Sequence, residues 1–328
     1  QGEVIMAGHS HIDVAWLWTI REVVRKCART FSNTIALLDR YSDAVFSQSQ
    51  AVLYDYVKTY YPEVYAEIKR KIADNQWEVV GNAWVEADTN VAGGEALVRQ
   101  LLYGKGFFEK EFGISSDIYW LPDCFGFSWA LPQIIKKSGM KYFLTSKLNG
   151  QDTNRFPHTL FTWRGIDGSE VLAYLQRTSY NGEYEPGKLL AAWENNDQKT
   201  IADVSMSMYG YGDGGGGPTL GMVENGRRLA KIPGIPASKT GGAKEFFERV
   251  AQFKDEFPVW NDEMYYENHR GTYTSQAFTK KNNRQGEFLL SRSEMACAFA
   301  AVFADSEYPA EELEAVWKIL LTNQFHDL

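Results

Sequence analysis

The sequence predicts an α/β fold with a mostly parallel sheet or a distorted β/α barrel, followed by the start of an α-helical domain. Three observations lead there. Short apolar runs recur through roughly the first 260 residues, and amphipathic helical stretches separate them, as βαβ units require. Beyond about residue 280 the strand pattern stops and only helical periodicity remains.

In order, Val4-Ile5-Met6-Ala7 reads as a buried strand. Ile20, Val23, Val24, Cys27, Phe31, Ile35 and Leu38 then fall on one face of a helix running from Ile20 to Tyr41. Ala44–Ser47 is a second strand. Helices are expected at Ala51–Tyr60 and Glu63–Ala73, the latter with Pro62 at its first turn. Trp77–Gly81 is a third strand, and the helix Glu95–Glu111 after it is closed by Gly113. Asp117–Leu121 is a fourth strand. A helix from Ala130 to Ser138, ended by Gly139, leads to the strand Lys141–Thr145.

The stretch from Ser146 to Asn196 is less regular. Within it, Thr159–Trp163 and Val171–Leu175 form an antiparallel pair around Asp167-Gly168. Asp203–Met208 is another strand, followed by a glycine cluster and a helix from about Thr219 to Ala230. Ile235–Ala237 reads as the strand after that helix, Gly242–Phe253 as a helix and Pro258–Trp260 as a last short strand. Gln285–Ala304 and Glu311–Phe325 are helical. A boundary near residue 280 therefore separates an α/β catalytic domain, residues 1–280, from the beginning of a helical domain, residues 281–328.

Composition narrows the function. A formal net charge of −8 argues against a nucleic-acid groove or an anionic membrane as partner, since both demand a basic face. The chain has no apolar run of about 18 residues, the length a membrane span needs. Cys27, Cys124 and Cys297 are widely spaced, with no CxxC pair, so neither a thiolate zinc site nor a disulfide framework is expected and a reducing, cytoplasmic compartment fits. The first residues already read as a strand rather than a signal peptide.

Chemistry-bearing residues gather just past strand ends. His9, His11 and Asp13 alternate at the end of the first strand, so they share a face while the extended geometry lasts. Two imidazoles and a carboxylate make a metal platform of the kind zinc accepts; a hydrogen-bonded polar strand end is the plainer reading. Asp123 follows a buried strand and a proline, where it can ligate a metal, act as a nucleophile or cap the next helix. Glu86 also follows a strand. In parallel sheets, working residues collect at these carboxyl ends.

Asp213 lies among six glycines, which let the backbone approach a ligand closely. Two carboxylates on one face are what glycoside hydrolysis needs. Gly210, Gly212 and Gly215 also spell G-x-G-x-x-G. However, Asp213 would oppose a pyrophosphate, and no acidic residue ends the strand that follows. His326 ends a helix, as a cation against the helix dipole or as a ligand brought back to the strand ends. An amidohydrolase-like metal hydrolase and a non-catalytic carbohydrate-binding protein stay open as alternatives.

These residues resemble the glycoside hydrolase family 38 (class II) α-mannosidases, most closely the cytosolic and bacterial branch. The likeness rests on the runs His9 to Trp18, Trp120 to Ser128, Gly212 to Pro218, His269 to Ser275 and Asn323 to Asp327, in the family's order. The resemblance implies a retaining α-mannosidase that hydrolyses terminal α-linked mannose from oligosaccharides. It implies one zinc ion held by His11, Asp13, Asp123 and His326, with His9 outside the ligand set. Asp123 would also be the nucleophile and Asp213 the general acid/base, with their carboxyl groups roughly 5–5.5 Å apart. Trp16 and Phe125 would line the mannose subsite, and His269, Arg270, Tyr273 and Asp327 would contact or support the substrate. Glu86, Asp88, Asn149 and Asp152 are weaker candidates. Family members continue into further helical and β-sandwich domains, so the chain is expected to be the catalytic portion of a longer protein, with little or no activity alone. Linkage preference is not encoded in any readable motif, and homo-oligomerisation stays open.

Overall fold

Strand β1 (Glu3–His9) forms where Val4, Ile5, Met6 and Ala7 can all be fully buried. A computed structural model describes residues 2–230 and 232–328 of the chain. In it, β1 is the centre of a parallel sheet. Strand β8 (Val204–Tyr209) runs beside it from Glu3 to Gly8. On its other side, β9 (Ala237–Thr240) pairs with the first half of β1 and β2 (Phe46–Gln48) with Gly8 and His9, while β3 (Trp77–Val79) extends the sheet beyond β2.

A second sheet has the order β10-β6-β7-β5-β4, with β4 (Ile118–Trp120), β5 (Tyr142–Thr145), β6 (Leu160–Arg164), β7 (Glu170–Leu175) and β10 (Val259–Trp260). Its pairs are parallel except β6 with β7, the hairpin expected around Asp167-Gly168.

The two sheets curve into a distorted barrel. Gly81 N–H donates to Ile118 O at 3.0 Å, joining the end of β3 to β4. At the opposite seam the Tyr174 hydroxyl reaches from β7 to β8, donating to Met206 O at 2.5 Å and accepting from Met206 N–H at 3.2 Å. Ile5, Ala7, Trp120, Leu144, Leu172 and Met206 fill the interior, with Phe246 and Phe247 of helix α8 (Ala243–Ala251) packed against them.

The outer faces of the strands pack on helices α1 (Ile20–Arg40), α2 (Ala51–Tyr60), α3 (Pro62–Ala73), α4 (Gly94–Phe112), α5 (Leu131–Lys137), α6 (Pro186–Glu194) and α7 (Leu220–Leu229). The stripe predicted for α1 is the one buried, through Val23, Cys27, Phe31, Ile35 and Leu38. Two long helices follow, α9 (Ala277–Ala304) and α10 (Ala310–Thr322). Arg99 of α4 clamps Glu294 of α9 with two 2.7 Å hydrogen bonds and lies 4.8 Å over the ring of Trp317 from α10.

The alternating organisation is as expected, with differences at weakly patterned places. Helix α6 buries only Leu189 and Ala192, too few positions to show a helical period inside the irregular stretch. Helix α9 begins eight residues before Gln285, because its first two turns are mostly exposed and carry no apolar stripe. The strand expected at Ile235–Ala237 instead begins at Ala237. Among the described residues, no helix is long and apolar enough to cross a membrane.

Candidate active site

β1 ends at His9. His9 turns away from the neighbouring donors: its Nδ1 lies 2.8 Å from Ser47 O and its ring meets the edge of Trp120 at 5.1 Å. Burial pushes its pKa down to about 4. His9, His11 and Asp13 therefore do not share one face. His11 and Asp13 lie past the strand, on a loop held to the glycine cluster by the Ile12–Gly214 bridge and by Asp13 N–H on Asp213 O at 2.8 Å.

Four side chains then converge. His11, Asp13, Asp123 and His326, all buried, each offer a ligand atom within 4.8 Å of the others. His11 Nε2 is 2.9 Å from Asp13 Oδ1, and His326 Nε2 is 3.3 Å from Asp123 Oδ2 and 3.9 Å from Asp13 Oδ1. Yet His11 Nε2, His326 Nε2 and Asp13 Oδ1 are buried without a hydrogen-bond partner. Buried polar atoms are rarely left so, and these belong to the four residues whose ligand atoms lie within 4.8 Å of one another. Two imidazole nitrogens and two carboxylates suit a divalent cation such as zinc.

One residue lies beside the far nitrogen of each imidazole. His326 Nδ1 lies 2.8 Å from the backbone carbonyl of Glu86, and His11 Nδ1 lies 3.1 Å from Glu86 Oε2. Glu86 is itself fixed: Ser49 Oγ donates to its Oε1 at 2.5 Å, and its N–H donates to Gln50 Oε1 at 3.1 Å. Burial lowers the proton affinity of His11, but the carboxylates of Glu86 and Asp13 more than offset it. Burial is likewise outweighed at His326 by the Cys124 sulfur, Asp123 and Asp327. The negative field that would hold a proton on these rings is equally a field for a cation.

Asp123 follows β4. It is eight residues ahead of α5, whose N-cap is Ala130, so it does not cap that helix. Burial pushes its pKa up, but the adjacent His326 imidazole, with the charges of His11 and Lys147, holds it well below the usual carboxylate range. Lys147 Nζ lies 2.6 Å from Asp123 Oδ1. Asp213 follows β8 in the left-handed region, φ 57°, within a loop that also needs φ 77° at Gly215. Gly216 N–H donates to Thr30 Oγ1 at 2.9 Å and Arg29 donates to Gly214 O at 2.7 Å, so α1 pins this loop. The Tyr180 hydroxyl donates to Asp213 Oδ1 at 3.0 Å. Burial, then both carboxylates, drive the Tyr180 pKa far up.

His326 lies beyond the α10 C-cap, Asn323, and its ring serves Glu86 and Asp123 rather than the helix end. Phe125 packs edge-on against His326 at 5.4 Å and against His269 at 4.9 Å. The Tyr273 hydroxyl donates to Phe125 O at 2.5 Å. Asp327 Oδ2 is 3.8 Å from His326 Nε2, and burial with nearby Asp13 and Asp123 pushes its pKa up to about 6. Trp16 is half exposed and packs on Trp18, whose indole N–H donates to Asp13 O. Arg270 lies 5.7 Å over Tyr265. Asp88 accepts from the N–H groups of Asn90 and Val91, Asn149 donates to Gln176 O, and Asp152 contacts exposed Glu267. A cleft of about 340 Å³ opens beside Asp123, lined by Lys147, Asn149, Arg177, Tyr180, Tyr266 and His269.

Sequence reasoning missed Lys147 and Tyr180. Lys147 stands two residues past a predicted strand, so the strand-end rule could have found it; Tyr180 lies in the irregular stretch and carried no signal.

Residues 1–263 match the family described as Glycosyl hydrolases family 38 N-terminal domain, and residues 267–328 match the Alpha mannosidase middle domain. The chain is 41% identical over 328 residues to Alpha-mannosidase G of Dictyostelium discoideum, covering 100% of this chain and 30% of that one. It is 40% identical over 330 residues to Alpha-mannosidase 2C1 of Homo sapiens, covering 100% and 32%. It thus spans about a third of the length of these relatives. An alpha-mannosidase from Enterococcus faecalis V583 has the same fold, with a TM-score of 0.86 at 17% identity, over 100% of this chain and 39% of that one. A GH57-type branching enzyme from Pyrococcus horikoshii aligns with a TM-score of 0.63 at 14% identity, over 99% of this chain and 86% of that one.

Proposed function

The chain belongs to glycosyl hydrolase family 38, and from that premise we propose that it carries the catalytic site of a zinc-assisted, retaining α-mannosidase acting on terminal α-linked mannose of oligosaccharides. One observation carries the reading: beside the cluster His11, Asp13, Asp123 and His326 stands a second carboxylate, Asp213, whose backbone carbonyl accepts the Asp13 N–H at 2.8 Å. A retaining enzyme needs two such carboxylates, roughly 5–5.5 Å apart.

A divalent cation held by those four residues would supply a Lewis-acidic anchor for vicinal hydroxyls of a mannose ring. The chain's own groups do the rest. Asp123, kept ionised by His326, His11 and Lys147, attacks the anomeric carbon. Asp213 gives a proton to the departing glycosidic oxygen, then takes one from the water that cleaves the glycosyl ester. Tyr180 holds Asp213 at 3.0 Å through both steps. Phe125, fixed by His269 and Tyr273, and the half-exposed Trp16 offer apolar faces for the sugar ring; Arg270 and Asp327 contact its substituents. We divide the chain near residue 280, with the helical part supplying His326, and place the protein in the cytoplasm on the basis of its three unpaired cysteines.

A carbohydrate-binding module has no use for the paired Asp123 and Asp213, and an amidohydrolase needs further histidines at strand ends. The deciding experiment is hydrolysis of an aryl α-mannoside by the full-length protein, before chelation, after it and after zinc is returned. Activity that disappears and returns, with the α-anomer as first product, is expected. The absence of turnover on any α-mannoside with metal present would overturn the assignment.

A further inference from the structure

Lys147 is tied to Asp123 by its side chain and to the neighbouring Pro122 by its backbone. Lys147 N–H donates to Pro122 O at 2.9 Å, and Ser146 donates to the same carbonyl through its N–H at 3.2 Å and its hydroxyl at 2.9 Å, so the loops after β4 and β5 are stitched together. The ammonium then reaches Asp123 Oδ1 at 2.6 Å while lying 5.0 Å over the ring of Phe125. The other oxygen of the same carboxylate faces His326 Nε2 at 3.3 Å. The two oxygens of Asp123 thus have separate partners: Oδ2 belongs to the ligand cluster and Oδ1 to Lys147.

We propose that Lys147 is a catalytic residue for the second half of the reaction, receiving the negative charge that returns to Asp123 Oδ1 when the glycosyl ester is hydrolysed. The proposal rests on the double-displacement reading of Asp123. In the first step an electron pair of Oδ1 forms the bond to the anomeric carbon. The bond to the leaving oxygen breaks, its pair stays on that oxygen, and the proton comes from Asp213. The carboxylate becomes a neutral ester, so the attraction to Lys147 is given up, and Lys147 does not assist this step. In the second step water oxygen bonds to the anomeric carbon and its proton passes to Asp213. The C1–Oδ1 bond breaks, and the pair returns to Oδ1 beside the ammonium. Charge grows there only as the ester breaks, so the interaction is stronger in the transition state than in the ground state, the condition for acceleration.

The test is steady-state and burst kinetics of the full-length protein on an aryl α-mannoside with a good leaving group. In Lys147→Met, kcat is expected to fall by about 10²-fold, the usual effect of removing one preorganised charge-stabilising group. KM is expected to fall in step, so kcat/KM is not reduced. A burst of aryl alcohol should appear, and mass spectrometry should find a hexose ester on the peptide containing Asp123. Lys147→Arg, which keeps the charge, should recover kcat to within about tenfold and abolish the burst. Lys147→Gln repeats the test if the Met variant does not give a cooperative thermal transition. A drop in kcat/KM at unchanged KM, or no accumulated ester in the charge-free variants, would overturn the role of Lys147 alone. A wild-type protein that neither turns over mannosides nor forms the ester would overturn the reading of Asp123 as well.

Discussion

Glu86 contacts both imidazoles of the cluster from opposite ends of itself: its carboxylate lies 3.1 Å from His11 Nδ1, and its backbone carbonyl lies 2.8 Å from His326 Nδ1. A ring whose Nδ1–H is given to an acceptor presents Nε2 as a lone pair, so the Glu86 carbonyl sets the tautomer of His326, while its carboxylate charge acts on His11. In Glu86→Gln the carbonyl partner of His326 remains while the carboxylate partner of His11 is lost. Zinc affinity, measured by chelator competition, should fall about 10–100-fold. An unchanged affinity would show that His11 is oriented by packing instead, for example against Tyr180 at 5.0 Å.

Asp213 should be separable from Asp123 by leaving group. In Asp213→Ala, kcat/KM for mannosides with poor leaving groups should fall about 10²–10⁴-fold, the contribution of a positioned acid. Activated aryl mannosides, which depart without a proton, should lose far less. Added azide should speed turnover by replacing the water that no longer has a base. A uniform loss across leaving groups would remove Asp213 from the acid role.

The loop that aims Asp213 has no room for a methyl group at Gly215. A Cβ there would sit 2.4 Å from Thr30 Oγ1, on a backbone with φ 77°. Thr30 also accepts the Gly216 N–H, so the loop cannot move away without losing that bond. Gly215→Ala is expected to lower kcat by about 10²-fold, the cost of misplacing a catalytic group by about 1 Å. Zinc content should be unchanged, since Asp213 is not a ligand. Loss of zinc in this variant would mean that Asp13, whose N–H is bonded to Asp213 O, moves with the loop.

Tyr174 makes the barrel seam sensitive to alkali. Burial, only partly offset by its bonds to Ser205 and Met206, pushes its pKa up from 10 to about 12. The folded state therefore holds the proton more tightly than the unfolded chain between these values, so this contribution is intact below pH 10 and is lost as pH rises toward 12. The loss is on the order of 2–3 kcal/mol. Urea midpoints at pH 8.5 and 11 should diverge less in Tyr174→Phe than in the native protein, although the variant is weaker at pH 8.5 for want of its bonds to Met206. Equal slopes would place the alkaline sensitivity elsewhere.

The legible parts of the site are those that a strand end delivers. His11, Asp13, Asp123 and Asp213 follow predicted strands of a parallel sheet, so the general rule for such sheets pointed to them. His9 also ends a strand, but its ring is taken up by Ser47 O and Trp120, and local alternation has no information about those partners. His326 is ambiguous for a different reason. A histidine after a helix looks the same whether it meets the helix dipole or is carried across the molecule, and only the packing of α4 against α10 decides. Glu86 is delivered by a long loop after β3, and its hydrogen bonds to Ser49 and Gln50 are invisible in one dimension. Tyr180 and α6 fall in the stretch where apolar periodicity fades.

The ligand cluster also sets an order of events during synthesis. His11 is synthesised before Asp123, and His326 follows His11 by 326 − 11 = 315 residues. Closing so long a loop is entropically unfavourable until the intervening barrel exists to hold its ends together. Three donors can gather early, but the fourth arrives only once α10 has docked on α4 and Glu86 can receive its ring. Tight retention of an ion by these four donors would therefore need all of them in place, and a nascent or truncated chain that stops short of His326 should release it readily.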